Sequence, residues 1–280
     1  MKTNKVPMFF GLHANPGPYW GKVLGMIPLL LLVLGYMKIS HDRREVNPED
    51  KLAPSIGKMY EDVKTYVSVP DKRSGEILFF LDAKSSLKRL GYGITISAVM
   101  GYVFGILLGL YPGARALFNP LVTNLSNINP LAILVVVLIT LGTGEVSKVF
   151  LVVFGVGIPM IRNIQQAVQG IKGEVIIKQE TLGASQFGII CRIVAPQMLP
   201  CLINLVRVSL GAAWIFVIAA EAISATSGLG YRIYLQTRYM NMSLIFSVIA
   251  FTATIAFISD QLLQLLLKHP RFAWYSVEKK

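Results

Sequence analysis

Gly173 to Pro200, GEVIIKQETLGASQFGIICRIVAPQMLP, is a polar interruption of about 28 residues between two long apolar runs. It carries Glu174, Lys178, Gln179, Glu180, Gln186 and Arg192. It also holds apolar clusters at helical spacing, Val175-Ile176-Ile177 and Ile189-Ile190…Ile193-Val194. The pattern predicts two short amphipathic helices lying across a membrane surface. Gly183 sits between them, where a sharp turn needs the left-handed backbone that glycine adopts without steric cost. Pro196 and Pro200 mark re-entry into the bilayer, since proline is tolerated in a helix's first turn and not deep inside one.

The flanking chain sets this stretch in a membrane. Of 280 residues 54% are hydrophobic and 15% charged, with a mean hydropathy of +0.57, too apolar for a soluble domain. The net charge of +12 is spread along the chain, with no basic, aromatic-interleaved patch of the kind that binds nucleic acid. Cys191 and Cys201 have no second pair, which argues against a disulfide framework or a zinc site. His13, His41 and His269 lie outside the apolar runs and read as solvated. No GxxxxGK[ST] occurs, so the chain is not expected to hydrolyse nucleotide itself.

Upstream, residues 1–18 are cationic and then Gly/Pro-rich, and read as a cytoplasmic segment. A first span is expected over 19–38, anchored by Tyr19 and Trp20, with a cleaved signal peptide as the alternative. Residues 39–85 hold more than half of the fifteen acids and read as an external soluble segment. Within it Leu52, Ile56, Met59, Val63 and Val67 predict an amphipathic helix after Pro54, and residues 69–75 a turn-rich break. A second span is expected from Ser86 to Tyr111. Gly93, Ser97, Gly101, Gly105, Gly109 and, just past its end, Gly113 recur at a spacing of four, a stripe that lets another backbone approach closely.

A third span, about 117–141, is broken at Asn129-Pro130. Asn124, Asn127 and Asn129 precede the break. These amides either satisfy the opened backbone or line a translocation path, for which they and Glu221 are the candidates. Gly142 to Lys148 reads as a short outer turn. Further spans are expected over 149–166, 200–220 and 242–267, and a basic tail follows over 268–280. Residues 86–267 thus form a transmembrane core around a loop at 167–199. Arg207 and Asp260 fall near the same end of the last two spans, where they either pair or snorkel separately.

Several stretches together resemble the permeases of ATP-binding-cassette importers, whose coupling-loop signature is EAA, three residues, Gly, nine residues, I-x-L-P. Gly183, Ile193 and Pro196 match its spacing, whereas Glu-Ala-Ala would fall on Ile177, Lys178 and Gln179, with Glu180 standing three residues late. Leu52-x-Pro54-Ser55, Ser86-Leu87-x-Arg89-x-x-x-Gly93, Gly142-x-Gly144-Glu145-x-Ser147-Lys148 and Trp214…Glu221…Gly228-Leu229-Gly230-Tyr231 are similar to the nitrate, sulfonate, taurine and bicarbonate branch. The resemblance covers roughly residues 50–265. It implies an all-α membrane protein, with six transmembrane helices of the type I importer permease (MetI-like) kind and a cytoplasmic coupling helix. It further implies a homodimer in the bacterial inner membrane, an external solute-binding protein, and separate ATPase subunits that bind ATP and Mg. On this basis Glu180, Thr181, Leu182, Gly183, Ala184, Ser185 and Gln186 are the residues expected to couple to the ATPase.

Charge asymmetry bears on orientation. With six spans and both termini inside, Lys2, Lys5, Lys22, Arg115, Arg162, Lys172, Lys178, Arg192, Lys268, Arg271, Lys279 and Lys280 face the cytoplasm against Glu174, Glu180 and Glu278. The outer turns carry only Lys148, Arg232 and Arg238. The two outer arginines would favour an anionic solute. An ion-coupled carrier or channel is the rival reading, but such proteins place acids near the midplane, and here only Asp260 and Glu221 approach it. A membrane enzyme fits less well, because no Ser/His or His/Asp/Glu set converges in one span.

Overall fold

A computed structural model describes residues 18–46, 52–70 and 75–267, and every regular element among them is helical. The cationic start with Lys2, Lys5 and His13, the segment 71–74 of the expected break, and the basic tail with His269 lie outside the described residues.

Helix α1 (Pro18–Val46) runs two turns beyond the expected end at Lys38. It is tethered by Tyr36 Oη, which donates to Pro54 O, and by Ser40 Oγ, which donates to Ala53 O. Helix α2 (Ile56–Ser68) is the expected amphipathic helix, N-capped by Ser55, whose hydroxyl accepts from Lys58 N. Its covered side joins buried Tyr66 to the half-buried Met59, Val63 and Val67 of the anticipated stripe, while Leu52 and Ile56 stay exposed.

Helix α3 (Leu78–Leu110) begins eight residues before the expected Ser86, and Asp82 lies inside it, buried. The boundary moves because the charge of Asp82 is answered within the fold rather than by water. Helices α4 (Pro112–Ser126) and α5 (Pro130–Thr140) replace the single third span. They meet at 97°, so this region is a sharply broken or re-entrant pair. Asn129 N-caps α5, its Oδ1 accepting from Leu131 N. Pro130 supplies the first residue of that helix, where its missing N–H costs nothing.

Helix α6 (Glu145–Val152) corrects the outer turn: Glu145 to Lys148 form a helical first turn, and Lys148 is buried. It continues through a π turn, Val153–Gly157, into α7 (Ile158–Gln169). Helix α8 (Gly173–Thr181) and the short α9 (Gln186–Ile189) flank Gly183. A second π turn, Ile190–Val194, carries α9 directly into α10 (Ala195–Ser224). The fifth span is therefore one helical run from Gln186 to Ser224, and Pro196 and Pro200 lie within it rather than at its edge. Helix α11 (Leu229–Arg238) and α12 (Met242–Leu267) complete the chain. Arg232 and Arg238 are thus helical residues, and Arg232 is buried.

Each π turn ends two residues before a proline, Pro159 or Pro196. The proline ring crowds the carbonyl four residues back, here at Gly155 or Arg192, and offers that carbonyl no N–H. Widening the helix at that point relieves the clash.

Five helical runs, α1, α3, α6–α7, α9–α10 and α12, are long and apolar enough to cross a membrane, and the bent α4–α5 pair raises the count to six. The core is α3 against α6–α7. A Cβ on Gly93 would stand 2.5 Å from Val152 Cγ1, one on Gly101 2.6 Å from Met160 Cγ, and one on Gly109 2.6 Å from Val168. The small-residue stripe is thus the seam of this packing, except Gly113, which lies on α4 facing open space.

Arg207 on α10 donates to Asp260 on α12, so these two pair rather than snorkel apart. A lone charge at the centre of a span costs about 2.5–3.5 kcal/mol on insertion scales, so the pair is worth more here than on a water-exposed surface. Arg207→Asp is expected to lower resistance to SDS denaturation, and adding Asp260→Arg to recover most of the loss. A double variant no better than the single one would show that the pair contributes nothing.

Candidate functional site

The α8–α9 turn is built by local backbone chemistry. Ala184 N donates to Gln179 O and Gly183 N to Glu180 O, both at 3.0 Å. This is a Schellman motif with Gly183, at φ +80°, in its left-handed position. Ser185 then N-caps α9, its hydroxyl accepting from Gly188 N at 3.1 Å. Leu182-Gly183-Ala184-Ser185 therefore reads, residue by residue, as the end of one helix and the start of the next. Gly183, Ala184 and Ser185 are occupied in making the turn, while Glu180, Thr181, Leu182 and Gln186 stand exposed on it. Ile177, Leu182 and Phe187 are 60%, 72% and 75% exposed. Three large apolar side chains left uncovered on one short polar segment form a ready contact surface.

At the opposite end of the bundle, where α3 and α6 begin and α10 ends, the other motifs converge on one buried polar cluster. Arg89 spans two carboxylates: its Nε and Nη2 donate to Glu145 at 2.6 and 2.7 Å, and its Nη1 to Glu221 Oε1 at 2.6 Å and to Ser227 O at 2.8 Å. Glu221 is fully buried and also accepts from Ser86 Oγ at 2.8 Å and from Gly230 N at 2.9 Å. Lys148 donates to Glu145. Alongside, Asp82 accepts from Tyr66 Oη, Arg232 Nε and Gly228 N at 2.8–2.9 Å. Three acids, Asp82, Glu145 and Glu221, balance three bases, Arg89, Lys148 and Arg232. Glu145 stands at the exposed rim while the other five are buried, and the balance of charge is what permits their burial.

Two glycines let the α10–α11 loop seat against this cluster. A Cβ on Gly228, at φ +131°, would stand 2.5 Å from the Glu221 carboxyl, and one on Gly230 would stand 2.5 Å from Ile218 O. Burial, reinforced by the neighbouring Asp82 carboxylate, pushes the Tyr66 phenol up, so it stays a donor. Burial works against the charge of Arg232, yet Asp82 outweighs it and the guanidinium stays raised. The guanidinium also lies over the Tyr66 ring, 5.4 Å from its centroid.

Among the sequence candidates, the structure brings Glu221 together with Arg89 and Ser86, while Asn124, Asn127 and Asn129 are exposed around the α4–α5 break. Asp82, Tyr66 and Arg232 were not anticipated as partners. One signal was available: stepping the small-residue stripe back from Gly93 by helical spacing passes Arg89 and Ser86 and reaches Asp82, all on one face of α3.

Residues 101–271 match the family model for the binding-protein-dependent transport system inner membrane component. A probable ABC transporter permease of Brucella melitensis is 32% identical over 183 residues, covering 65% of this chain and 74% of the relative. The taurine transport system permease protein TauC of Escherichia coli is 29% identical over 176 residues, covering 63% and 64%. The chain superposes, with a TM-score of 0.58 and 19% identity, on one from inward-facing MetNI methionine ABC transporter, covering 66% of this chain and 92% of that one. At that identity the likeness speaks for the fold.

Proposed function

We propose a mechanism from one premise: this chain belongs to the binding-protein-dependent transport system inner membrane components, and is the non-catalytic, membrane-spanning permease subunit of an ATP-binding-cassette importer. The α8–α9 turn is its docking surface for a separate ATPase subunit. Ile177, Leu182 and Phe187 supply the apolar contact, and Glu180 to Gln186 form the element through which ATP-driven closure of the ATPases moves the bundle. ATP and Mg are held by those partner subunits. The permease pairs with a second copy of itself, receives solute from an external binding protein, and keeps both termini and the turn on the cytoplasmic side. Its solute is a small anion or zwitterion of the sulfonate class, a reading supported by the taurine relative.

One observation carries the coupling role: an amphipathic helix-turn-helix fixed by a Schellman motif and a serine cap, with its apolar residues uncovered. The test is reconstitution with the cognate ATPase and binding protein. Gly183→Asp strains the left-handed position and is expected to cut uptake about 5- to 150-fold, the range that 1–3 kcal/mol of coupling spans, while ATP hydrolysis continues. Normal uptake by that variant would overturn the role. The side is checked by labelling Ser185→Cys, with the exposed Cys191 replaced by serine, in inverted and right-side-out vesicles. Modification by an impermeant maleimide only in right-side-out vesicles would reverse the orientation.

A further inference from the structure

Helices α2 and α11 and the start of α12 border an open-mouthed cavity of about 300 Å³ outside both regions described above. Its lining includes Lys58, Asp62, Gln236, Tyr239, Asn241 and Ser243. Two of its oxygens, Asp62 Oδ2 and Ser243 Oγ, are shielded from solvent and have no hydrogen-bond partner in the protein, and Ser243 as a whole is only 2% exposed. Groups buried in this way carry a desolvation cost until something pairs with them. Lys58 and Asp62 stand one helical turn apart and do not pair with each other. The pocket therefore presents a solvent-exposed ammonium, Lys58, at its rim and a shielded, unpartnered carboxylate oxygen of Asp62 inside.

The turn beside it is strained. Asn241 N donates to Gln236 O and Met240 N to Thr237 O, a second Schellman motif, but here the left-handed position holds Met240 at φ +55° instead of glycine. A non-glycine residue there costs about 1–2 kcal/mol, and such strain gathers at ligand sites.

We propose that this cavity binds a small zwitterion. Its ammonium group donates to Asp62 and Ser243, and its acid group accepts from Lys58 and the side-chain amides of Gln236 and Asn241. A ligand without an ammonium group would leave the shielded Asp62 oxygen unanswered, and one without an acid group would leave Lys58 to water. The cavity is at the small end of the range for ligand sites, suited to a molecule of few heavy atoms. Occupancy would brace the polar cluster, because Asp62 is one turn from Tyr66 on α2 and Gln236 one turn from Arg232 on α11.

The test uses the full-length permease in lipid nanodiscs, without ATPase or binding protein, so its outcome is separate from that of the coupling role. Glycine and β-alanine serve as zwitterionic probes, with methylammonium and acetate as the separated halves. Calorimetry is expected to show saturable binding of a zwitterion and none of either half at the same concentration. Asp62→Asn and Lys58→Met should each weaken binding about tenfold or more, and Lys58→Arg should retain it, with unliganded unfolding midpoints unchanged in all three. No binding of either zwitterion, equal binding of a half, or undiminished binding by Asp62→Asn and Lys58→Met would each overturn the proposal.

Discussion

Replacing Arg89 by alanine should destabilise the protein by about 3–5 kcal/mol, the cost of leaving a buried charge without its partner. Glu221 is fully buried, and Arg89 is the only base bonded to it among the described residues. Arg89 also holds Glu145 with two parallel bonds and the Ser227 carbonyl with a third contact. Arg89→Lys keeps the charge but not the planar fork that serves two carboxylates and a carbonyl at once, so an intermediate loss is expected. Adding Glu221→Gln to Arg89→Ala should restore part of the stability, since it removes the orphaned charge. The measurement is the midpoint of SDS denaturation at fixed lipid. A Glu221→Gln, Arg89→Ala double variant less stable than Arg89→Ala alone would show that the Glu221 charge is not what the arginine answers.

Gly105→Ala is the second large effect. Its new Cβ would stand 2.7 Å from Ile164 Cβ and 3.0 Å from the Ile161 carbonyl, neither of which a rotamer change can move. Helices α3 and α7 would have to part, at about 1–3 kcal/mol. Gly101→Ala meets chiefly the flexible Met160 side chain and should cost less. Gly91, on the same helix but facing open space, is the internal control. There alanine's better helix propensity, up to about 1 kcal/mol, should leave the protein unharmed or slightly more stable. The same SDS titration ranks the three, and equal effects at Gly91 and Gly105 would rule out the close-packed seam.

The helical spans and the turn at Gly183 were legible because both rest on local signals: apolar runs, spacing, and the left-handed requirement of a single position. The stripe from Gly93 to Gly109 was legible as a packing surface for the same reason, though not its partner. The polar cluster was not legible as a unit. Arg89 and Glu221 lie 132 residues apart and Asp82 and Arg232 150 apart, and no periodicity links them. Charge then misled locally: Asp82 looked like soluble segment and Arg232 and Lys148 like outer turns, because a residue's charge in sequence does not say whether a partner will cancel it. The α4–α5 break was signalled by Asn129-Pro130, but the angle between the two halves depends on the neighbours against which each packs.

The unbroken helix from Gln186 to Ser224 has 39 residues, about 58 Å at 1.5 Å each, nearly twice the hydrocarbon thickness. Its first residue adjoins the exposed turn and its last turn carries Glu221. It is a long lever, loosened at the π turn Ile190–Val194 and again at Pro200, both in the half nearer the exposed turn. A tilt of the rod past those two points would carry its far tip, and Glu221 with it, sideways through backbone alone, whereas a push on the turn side must first cross the loosened stretch.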